Sequence, residues 1–247
     1  MKTFEVTNEL IEQVESLIKL NDDATLLGLL ENEHHADIAE ILEDLSLEDA
    51  TYIIKLLDSD LTSETLMELD EDVRENILKN LSAKEIAEEL TELDTDDAAD
   101  IIAELPEERQ KSVISAIEDE DHVKDIVELL KYDENSAGGL MAKELVKVNE
   151  NWNVLQCVKE MRAQAEFVTR VHSIYVIDNK GKLKGRLSLK DLLVASARTH
   201  ISEVYIPKVD SVNVHDKAED VAIIMQKYDL EAIPVVDNQG FLVGRIT

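Results

Sequence analysis

The sequence predicts an α + (α+β) protein, in which an all-helical superhelical repeat domain precedes two tandem α+β units. Three observations predict this fold class. Apolar residues recur with helical spacing over residues 9–132, a span that contains one glycine and one proline. A segment of this span, residues 37–57, recurs at residues 85–105. In the second half of the chain a different segment, residues 174–188, recurs at residues 233–247.

The helical repeat appears when residues 37–57 (DIAEILEDLSLEDATYIIKLL) are aligned with residues 85–105 (EIAEELTELDTDDAADIIAEL). The apolar positions match at a constant offset: Ile38/Ile86, Ala39/Ala87, Leu42/Leu90, Leu45/Leu93, Ala50/Ala98, Ile53/Ile101, Ile54/Ile102 and Leu57/Leu105. A single helix pair cannot bury its own apolar face, so repeated pairs are expected to stack into a superhelix. We therefore expect residues 1–135 to form an acidic helical repeat domain.

The second repeat aligns residues 174–188 (IYVIDNKGKLKGRLS) with residues 233–247 (IPVVDNQGFLVGRIT). Each copy reads as a strand, a turn rich in Asp, Asn and Gly, and a second strand. A helical pattern precedes each copy, over residues 153–164 and 217–228. The glycine pair at Gly138 and Gly139 places the domain boundary just before this region.

The formal net charge of -30 is concentrated in the first half of the chain. Residues 1–140 hold 41 acids and 10 bases, a charge of -31, whereas residues 141–247 hold 14 acids and 15 bases, a charge of +1. Such an acidic half repels nucleic acid and anionic lipid, and it attracts cations or a basic partner. The simpler interpretation is an acidic protein that is merely soluble.

The densest acidic cluster lies on a helical pattern in residues 93–105. Here Ala98, Ile101, Ile102 and Leu105 form one apolar stripe at i, i+3, i+4 and i+7, and the acids gather away from it: Asp96, Asp97, Asp100 and Glu104. One interpretation is a solvated face, because acids in a first turn favour the helix dipole and Asp94 or Thr95 can cap the helix. The other is a surface that binds cations.

The remaining composition indicates a soluble, cytosolic chain. Cys157 is the only cysteine, which excludes an internal disulfide, and we expect it to be buried as a small apolar residue. His34 and His35 are adjacent and point to different sides of a helix, so we expect surface or packing roles rather than a metal pair. Residues 1–17 lack the apolar core of a signal peptide, and no run is long enough to cross a bilayer.

The second repeat resembles paired cystathionine-β-synthase-type (CBS) domains. Residues 185–191 (GRLSLKD) look like the family's Gly-h-h-Ser/Thr-x-x-Asp signature, in which the hydroxyl and the carboxylate meet the phosphate and ribose of an adenine nucleotide. The resemblance implies that Ser188 and Asp191 form a nucleotide site, with ATP or another adenine nucleotide as ligand. Arg186 departs from the pattern, since an apolar residue is usual there, and the second copy stops at Thr247, before its expected aspartate.

The order of the parts resembles the cytosolic region of the MgtE family of magnesium transporters or channels. An acidic helical repeat is followed by residues 132–141 (YDENSAGGLM) and then by a CBS pair. The resemblance implies a helical domain at residues 1–135, a first CBS domain at 136–200 and a second at 201–247. The second CBS domain is expected to be incomplete, and the chain is expected to be truncated before a transmembrane pore domain. A homodimer through the CBS domains is also implied.

The same resemblance implies a Mg²⁺ sensor, in which acidic residues of the helical and CBS domains hold ions and favour the closed state of the pore. Carried over to this sequence, the metal ligands are Asp96, Asp97, Asp100, Glu64, Asp229 and Asp216. Glu64 is expected to open a helix. Asp216 is followed by Lys217, near where a further acid is expected, and this lysine departs from the family pattern.

Two other functions fit parts of the sequence. An adenine-nucleotide sensor would use Ser188 and Asp191, with the acidic domain as a spacer. A scaffold would bind a basic protein partner on the helical superhelix, and that binding would be sensitive to salt. The sequence does not favour an enzyme, because it contains no nucleophile with a placed base, no metal-binding histidine spacing and no glycine-rich phosphate loop.

Overall fold

The structure, a computed structural model, describes residues 6–168 and 170–247. Residues 1–5, which begin the amphipathic amino-terminal pattern, lie outside the described residues. The chain divides into two compact units, Met1–Leu93 with Asp100–Val123, and Asp94–Ala99 with Lys124–Thr247. Ten helices in the described part of the chain precede a region with two small sheets, which confirms the predicted fold class. No helix in that part is long and apolar enough to cross a membrane.

The ten helices confirm the helical repeat and extend it. They are α1 Asn8–Leu20, α2 Asp23–Leu30, α3 His35–Glu43, α4 Leu47–Ile54, α5 Ser59–Glu68, α6 Glu71–Lys79, α7 Ala83–Leu90, α8 Thr95–Glu104, α9 Glu107–Ile114 and α10 Glu120–Leu129. Helices α3 and α7, α4 and α8, and α5 and α9 begin at the same offset as the aligned sequences. Within the first unit, α3 packs on α5, α5 on α7, and α7 on α9, as the stacked-pair prediction requires. Matched positions such as Ile53 and Ile101 are fully buried.

Helix α7 carries two glutamates whose environments shift their pKa values in opposite directions. Glu85 completes a capping box with Ser82, whose amide donates to Glu85 Oε2 at 2.6 Å, and Lys55 Nζ lies 3.0 Å from Glu85 Oε1. The Ser82 bonds, followed by Lys55, lower the pKa of Glu85 from 4.5 to about 2. One turn further on, burial is the main reason that the pKa of Glu89 is raised from 4.5 to about 7, and the Ser59 hydroxyl only partly opposes it.

We expect Glu89→Gln to raise the free energy of unfolding of the helical unit by about 1–2 kcal/mol at pH 8, after allowance for solvent screening. The folded-state pKa of Glu89 is raised, so its stability contribution is complete below about pH 4.5 and is lost as the pH rises through about 7. The glutamine side chain cannot ionise, so the variant avoids that loss. Its advantage in the free energy of unfolding should therefore vanish near pH 4. Urea unfolding followed by far-ultraviolet circular dichroism measures it.

Glu85→Gln on the same helix is the matched control with the opposite sign. Because the folded-state pKa of Glu85 is lowered, its contribution is present above about pH 4.5 and is lost as the pH falls towards 2. This variant should therefore lower stability at neutral pH. A loss of stability in both variants at pH 8 would contradict the assignment for Glu89.

The second unit contains two α+β repeats, each with a small sheet. The elements of the first are β1 Val146–Asn149, α11 Val154–Ala165, β2 Ile174–Ile177, β3 Leu183–Leu187, α12 Leu189–Val194 and β4 Ile206–Pro207; those of the second are β5 Val212–Asn213, α13 Ala218–Tyr228, β6 Ile233–Val236 and β7 Leu242–Ile246. The sheet orders are β1-β2-β3-β4 and β5-β6-β7, with the first pair of strands parallel and the rest antiparallel in each.

The predicted second repeat is present in the strands. Strands β6 and β7 follow β2 and β3 at the same offset as the aligned sequences. The two hairpin turns also exchange hydrogen bonds, since Leu183 N donates to Gly240 O and Leu242 N donates to Gly181 O, both at 3.1 Å. Equivalent residues thus make equivalent contacts. Comparison of one repeat with the other is therefore meaningful residue by residue.

The core of the first α+β repeat contains Cys157, which is fully buried as predicted. Burial raises the pKa of its thiol to about 11. Trp152, the single tryptophan of the chain, packs against the same core. Its fluorescence therefore reports on the folding of this unit. The domain boundaries at residues 135/136 and 200/201 stay predictions.

Candidate metal centre

The amino-terminal turn of α8 is anchored by a glutamate from the segment that precedes β1. Thr95 is 1% exposed, and its amide lies 3.2 Å from each carboxylate oxygen of Glu144. Its hydroxyl donates to Glu144 Oε2 at 2.9 Å and accepts from the Lys143 amide at 2.9 Å. Glu144 thus provides the carboxylate that the positive end of a helix favours.

Three carboxylates converge beside this turn. Asp94, Asp96 and Glu144 each offer one oxygen, and the three oxygens lie within 4.8 Å of one another. All three residues are half-buried and belong to the second unit. Within the described ranges 6–168 and 170–247, no other group of three His, Cys, Asp or Glu residues meets the same geometric condition.

Arg245 compensates part of this negative charge. Its guanidinium Nη2 lies 2.9 Å from Asp94 Oδ2, and its Nε donates to the carbonyl oxygen of Glu144. The residue is 5% exposed, and its backbone pairs with that of Ala142 in a short antiparallel bridge. One buried cation is therefore paired with one of the three carboxylates, and the group keeps an excess of negative charge.

Asp96 is the member of the group whose ionised form is disfavoured. Burial, followed by the charges of Asp97 and Asp94 and then of Glu144, raises the pKa of Asp96 from 3.8 to about 7, and a hydrogen bond from the Asp97 backbone only partly opposes this. Its Oδ1 is buried and has no hydrogen-bond partner. A buried acceptor without a donor destabilises the fold, and a cation supplied from solution would remove that destabilisation.

The donor set fits a hard divalent cation. Carboxylate oxygens are the ligands that Mg²⁺ prefers in proteins, and Mg²⁺ commonly binds through one or two carboxylates while it keeps several waters. Asp96 and Asp94 or Glu144 would supply such ligands, and the unpartnered Oδ1 of Asp96 is the atom most in need of one. Soft metals are disfavoured, since the group contains no thiolate or imidazole.

The sequence singled out one member of this group. The family resemblance implies Asp96 as a ligand, whereas the sequence indicates Asp94 only as a possible helix cap and predicts no role for Glu144. Glu144 is distant from Asp94 in the sequence, and its role depends on tertiary contact rather than on a local pattern. Of the other acids on α8, Asp97 is half-buried and Asp100 is exposed.

The remaining predicted ligands do not belong to the three-carboxylate group. Glu64 was expected to open a helix, and this is wrong: it lies inside α5, because Asp58 caps the helix by accepting from the Leu61 amide at 3.0 Å. The carboxylate of Glu64 lies 2.8 Å from His35 Nδ1. Asp216 Oδ2 accepts from the Asn213 amide at 2.7 Å, and Asp229 is exposed in the left-handed conformation at the end of α13.

The predicted nucleotide residues, Ser188 and Asp191, line one cavity of about 400 Å³. Its other lining residues are His172, Ser173, Arg186, Leu187, Leu189, Lys190 and Ile206. Ser188 precedes α12, but its side chain makes no capping hydrogen bond to that helix. The Ser188 hydroxyl therefore does not cap this helix.

Comparison with known proteins identifies both halves of the chain. Residues 33–135 match the family model described as the MgtE intracellular N domain, and residues 137–198 and 201–247 match the CBS domain model. The chain is 43% identical over 123 residues to the magnesium transporter MgtE of Thermus thermophilus, and 36% identical over 123 residues to that of Enterococcus faecalis. Each match covers 50% of this chain and 27% of the relative.

Two solved structures match almost the whole chain. The cytosolic domain of the Mg²⁺ channel MgtE in complex with ATP superposes with a TM-score of 0.88 at 33% identity, over 96% of each chain. The soluble part of a magnesium transporter superposes with a TM-score of 0.82 at 26% identity, over 97% of this chain and 94% of that one. Because 33% identity extends over 96% of a solved MgtE cytosolic domain, the chain belongs to the MgtE family, in which it corresponds to that domain.

Proposed function

We propose that this chain is the Mg²⁺-sensing regulatory region of a magnesium transporter or channel, and that it acts at the cytosolic face of the membrane. The observation that carries the proposal is the group of Asp94, Asp96 and Glu144, in which one oxygen of Asp96 is buried and unpartnered. The names of the relatives support magnesium as the ion. A regulatory rather than an enzymatic role is part of the proposal.

The proposed response depends on charge. Carboxylates of the helical and CBS domains repel one another when ions are absent, by about 1 kcal/mol per carboxylate pair at 4 Å in water. Mg²⁺ replaces that repulsion with attraction and favours the closed state of the pore. Asp97, Asp100, Glu64, Asp229 and Asp216 are proposed as further ligands, and a homodimer and a transmembrane pore domain of the same protein as the partners.

Several ions are needed for a switch of this kind. One ion at ten times its dissociation constant contributes only about 1.4 kcal/mol, whereas a shift of a two-state equilibrium from 1:99 to 99:1 needs about 5.5 kcal/mol. About four weak sites would suffice.

A magnesium titration tests the proposal. We expect the wild type to become more compact in small-angle X-ray scattering as Mg²⁺ rises, and Asp96→Ala/Asp100→Ala to need about tenfold more Mg²⁺ for the same change, since about 1.4 kcal/mol of binding is lost. Glu107→Ala/Glu108→Ala removes two exposed acids from the next helix and is the matched control. An unchanged wild-type radius would refute the sensor, and a normal response of the first variant would refute the site.

The second candidate function is adenine-nucleotide sensing through the cavity that Ser188 and Asp191 line. Two observations favour it: the Ser188 side chain is not used as a helix cap, and one similar structure was solved in complex with ATP. Calorimetry with ATP and with Mg²⁺ separately distinguishes the two candidates. Binding of ATP that Asp191→Ala abolishes, without an effect on the magnesium response, would assign both functions to separate sites.

A further inference from the structure

Arg186 and Arg245 occupy equivalent positions in the two α+β repeats. Each lies near the end of the second hairpin strand, where Arg186 pairs across the sheet with Tyr175 and Arg245 pairs with Pro234. Their surroundings differ completely. Arg245 is buried and ion-paired with Asp94, whereas Arg186 is exposed and lines the nucleotide cavity.

The charge of Arg186 is not balanced by an ion pair within the described residues. In that part of the chain, no ion pair involves Arg186 or Lys190, the two permanently charged bases in the cavity lining. The half-buried Arg74, by contrast, is paired with Glu104. Asp191 is the only acid among the lining residues, so the cavity carries a net positive charge in a chain whose net charge is -30.

His172 is another lining residue, and its pKa is lowered chiefly by burial; the charges of Arg245 and Arg170 lower it further, while those of Glu231 and Asp94 oppose them. An anion that enters the cavity is therefore attracted mainly by Arg186 and Lys190. A cavity of about 400 Å³ is within the usual range for small-molecule sites.

We infer that Arg186 is a specificity-determining residue that makes this cavity prefer adenine nucleotides with two or more phosphates over those with one. The phosphates would balance the positive charge of Arg186, as Asp94 balances that of Arg245 in the second repeat. A guanidinium presents five N–H donors in a planar fork that matches phosphate oxygens, so further phosphates gain charge-assisted hydrogen bonds. The inference rests on the second candidate function, since it concerns the same cavity.

The position of Arg186 supports a role in selection rather than in general attraction. Strand β3 is an inner strand of its sheet, and residue 186 has a register partner on both sides, Tyr175 on β2 and Ile206 on β4. Its backbone is therefore fixed. Lys190 lies on the six-residue helix α12 and provides a point charge on a flexible side chain.

Isothermal titration of ATP, ADP and AMP into the wild type, Arg186→Val and Arg198→Ala tests the inference at one fixed Mg²⁺ concentration. We expect Arg186→Val to weaken ATP and ADP binding about tenfold and AMP binding less than about twofold, since a charge-assisted hydrogen bond is lost only for the longer phosphates. Arg198 is an exposed arginine outside the cavity lining, and its removal controls for the loss of one charge. Arg186→Lys should restore part of the ATP affinity.

The possible results separate this inference from the function on which it rests. If ATP binds to the wild type but Arg186→Val weakens all three nucleotides equally, or none of them, the specificity role is refuted and the nucleotide site stands. If no adenine nucleotide binds to the wild type, the second candidate function and the inference both fail. Melting curves without nucleotide show whether Arg186→Val is folded; a melting temperature well below that of the wild type would identify a loss of binding that results from misfolding.

Discussion

Replacement of Arg245 by methionine is expected to lower the free energy of unfolding of the second unit by about 3–5 kcal/mol in the absence of metal ions. The guanidinium is 5% exposed and pairs with Asp94, and it also donates to the carbonyl oxygen of Glu144. Methionine fills a similar volume but leaves the Asp94 carboxylate without its counter-charge, next to the carboxylates of Asp96 and Glu144. Urea unfolding at pH 7.5, followed through the fluorescence of Trp152, measures the loss.

Asp94→Asn provides the control through a double-mutant cycle. Removal of the Asp94 charge should make Arg245→Met less destabilising, because fewer carboxylates are left unpaired. We also expect Mg²⁺ to restore more stability to Arg245→Met than to the wild type, since a divalent cation replaces the missing positive charge. Equal destabilisation in the presence and absence of Asp94 would show that Arg245 acts through packing alone.

Local patterns were sufficient to predict the helices and the two repeats. The stripe of Ala98, Ile101, Ile102 and Leu105 is buried because a helix places i, i+3, i+4 and i+7 on one side, whatever its partner. The constant offsets of the two repeats likewise needed no knowledge of tertiary contacts, since equivalent residues repeat equivalent local structure. The fold class followed from these two periodicities.

The candidate metal centre could be predicted only in part, because its members are far apart in the sequence. The density of acids on α8 is a local signal that leaves a solvated face and a cation-binding surface both open, and the resemblance to the MgtE family implies that Asp96 is a ligand. Glu144 meets Thr95 across 49 residues, and Arg245 meets Asp94 across 151. Neither residue belongs to a motif that encodes such a contact, and only tertiary structure brings them together.

The misplacement of Glu64 has a simple physical reason. The family resemblance implies a helix that starts at Glu64, but Asp58, earlier in the sequence, can accept a hydrogen bond from a helix amide. In the structure Asp58 accepts from the Leu61 amide, and the buried Ser63 hydroxyl donates to the carbonyl oxygen of Asp60. The helix therefore begins at Ser59, more than a turn before Glu64.

Asp96→Asn is expected to have two opposite effects, which together separate a metal ligand from a structural residue. Without metal at pH 8, the variant should be more stable than the wild type by about 2 kcal/mol, after discount for partial exposure. The folded-state pKa of Asp96 is raised to about 7, so its contribution to stability is complete below about pH 4 and is lost as the pH rises through 7. The uncharged amide avoids that loss, and the two proteins should be equally stable near pH 4.

In the presence of Mg²⁺ the order should reverse. The wild type gains stability as the cation binds its carboxylates, whereas Asp96→Asn lacks one of the three carboxylates and gains much less. Asp121→Asn, which removes an exposed acid from the first turn of α10, should lose a few tenths of a kcal/mol through the helix dipole and show no such reversal. Unfolding curves at pH 8 with 0 and about 10 mM Mg²⁺, a concentration suited to weak sites, give the stability difference between variant and wild type without and with the cation. If Asp96→Asn is more stable without metal but still responds fully to Mg²⁺, Asp96 destabilises the metal-free protein without being a ligand. If the order of stability reverses, the instability of the metal-free group is what makes the domain responsive to magnesium.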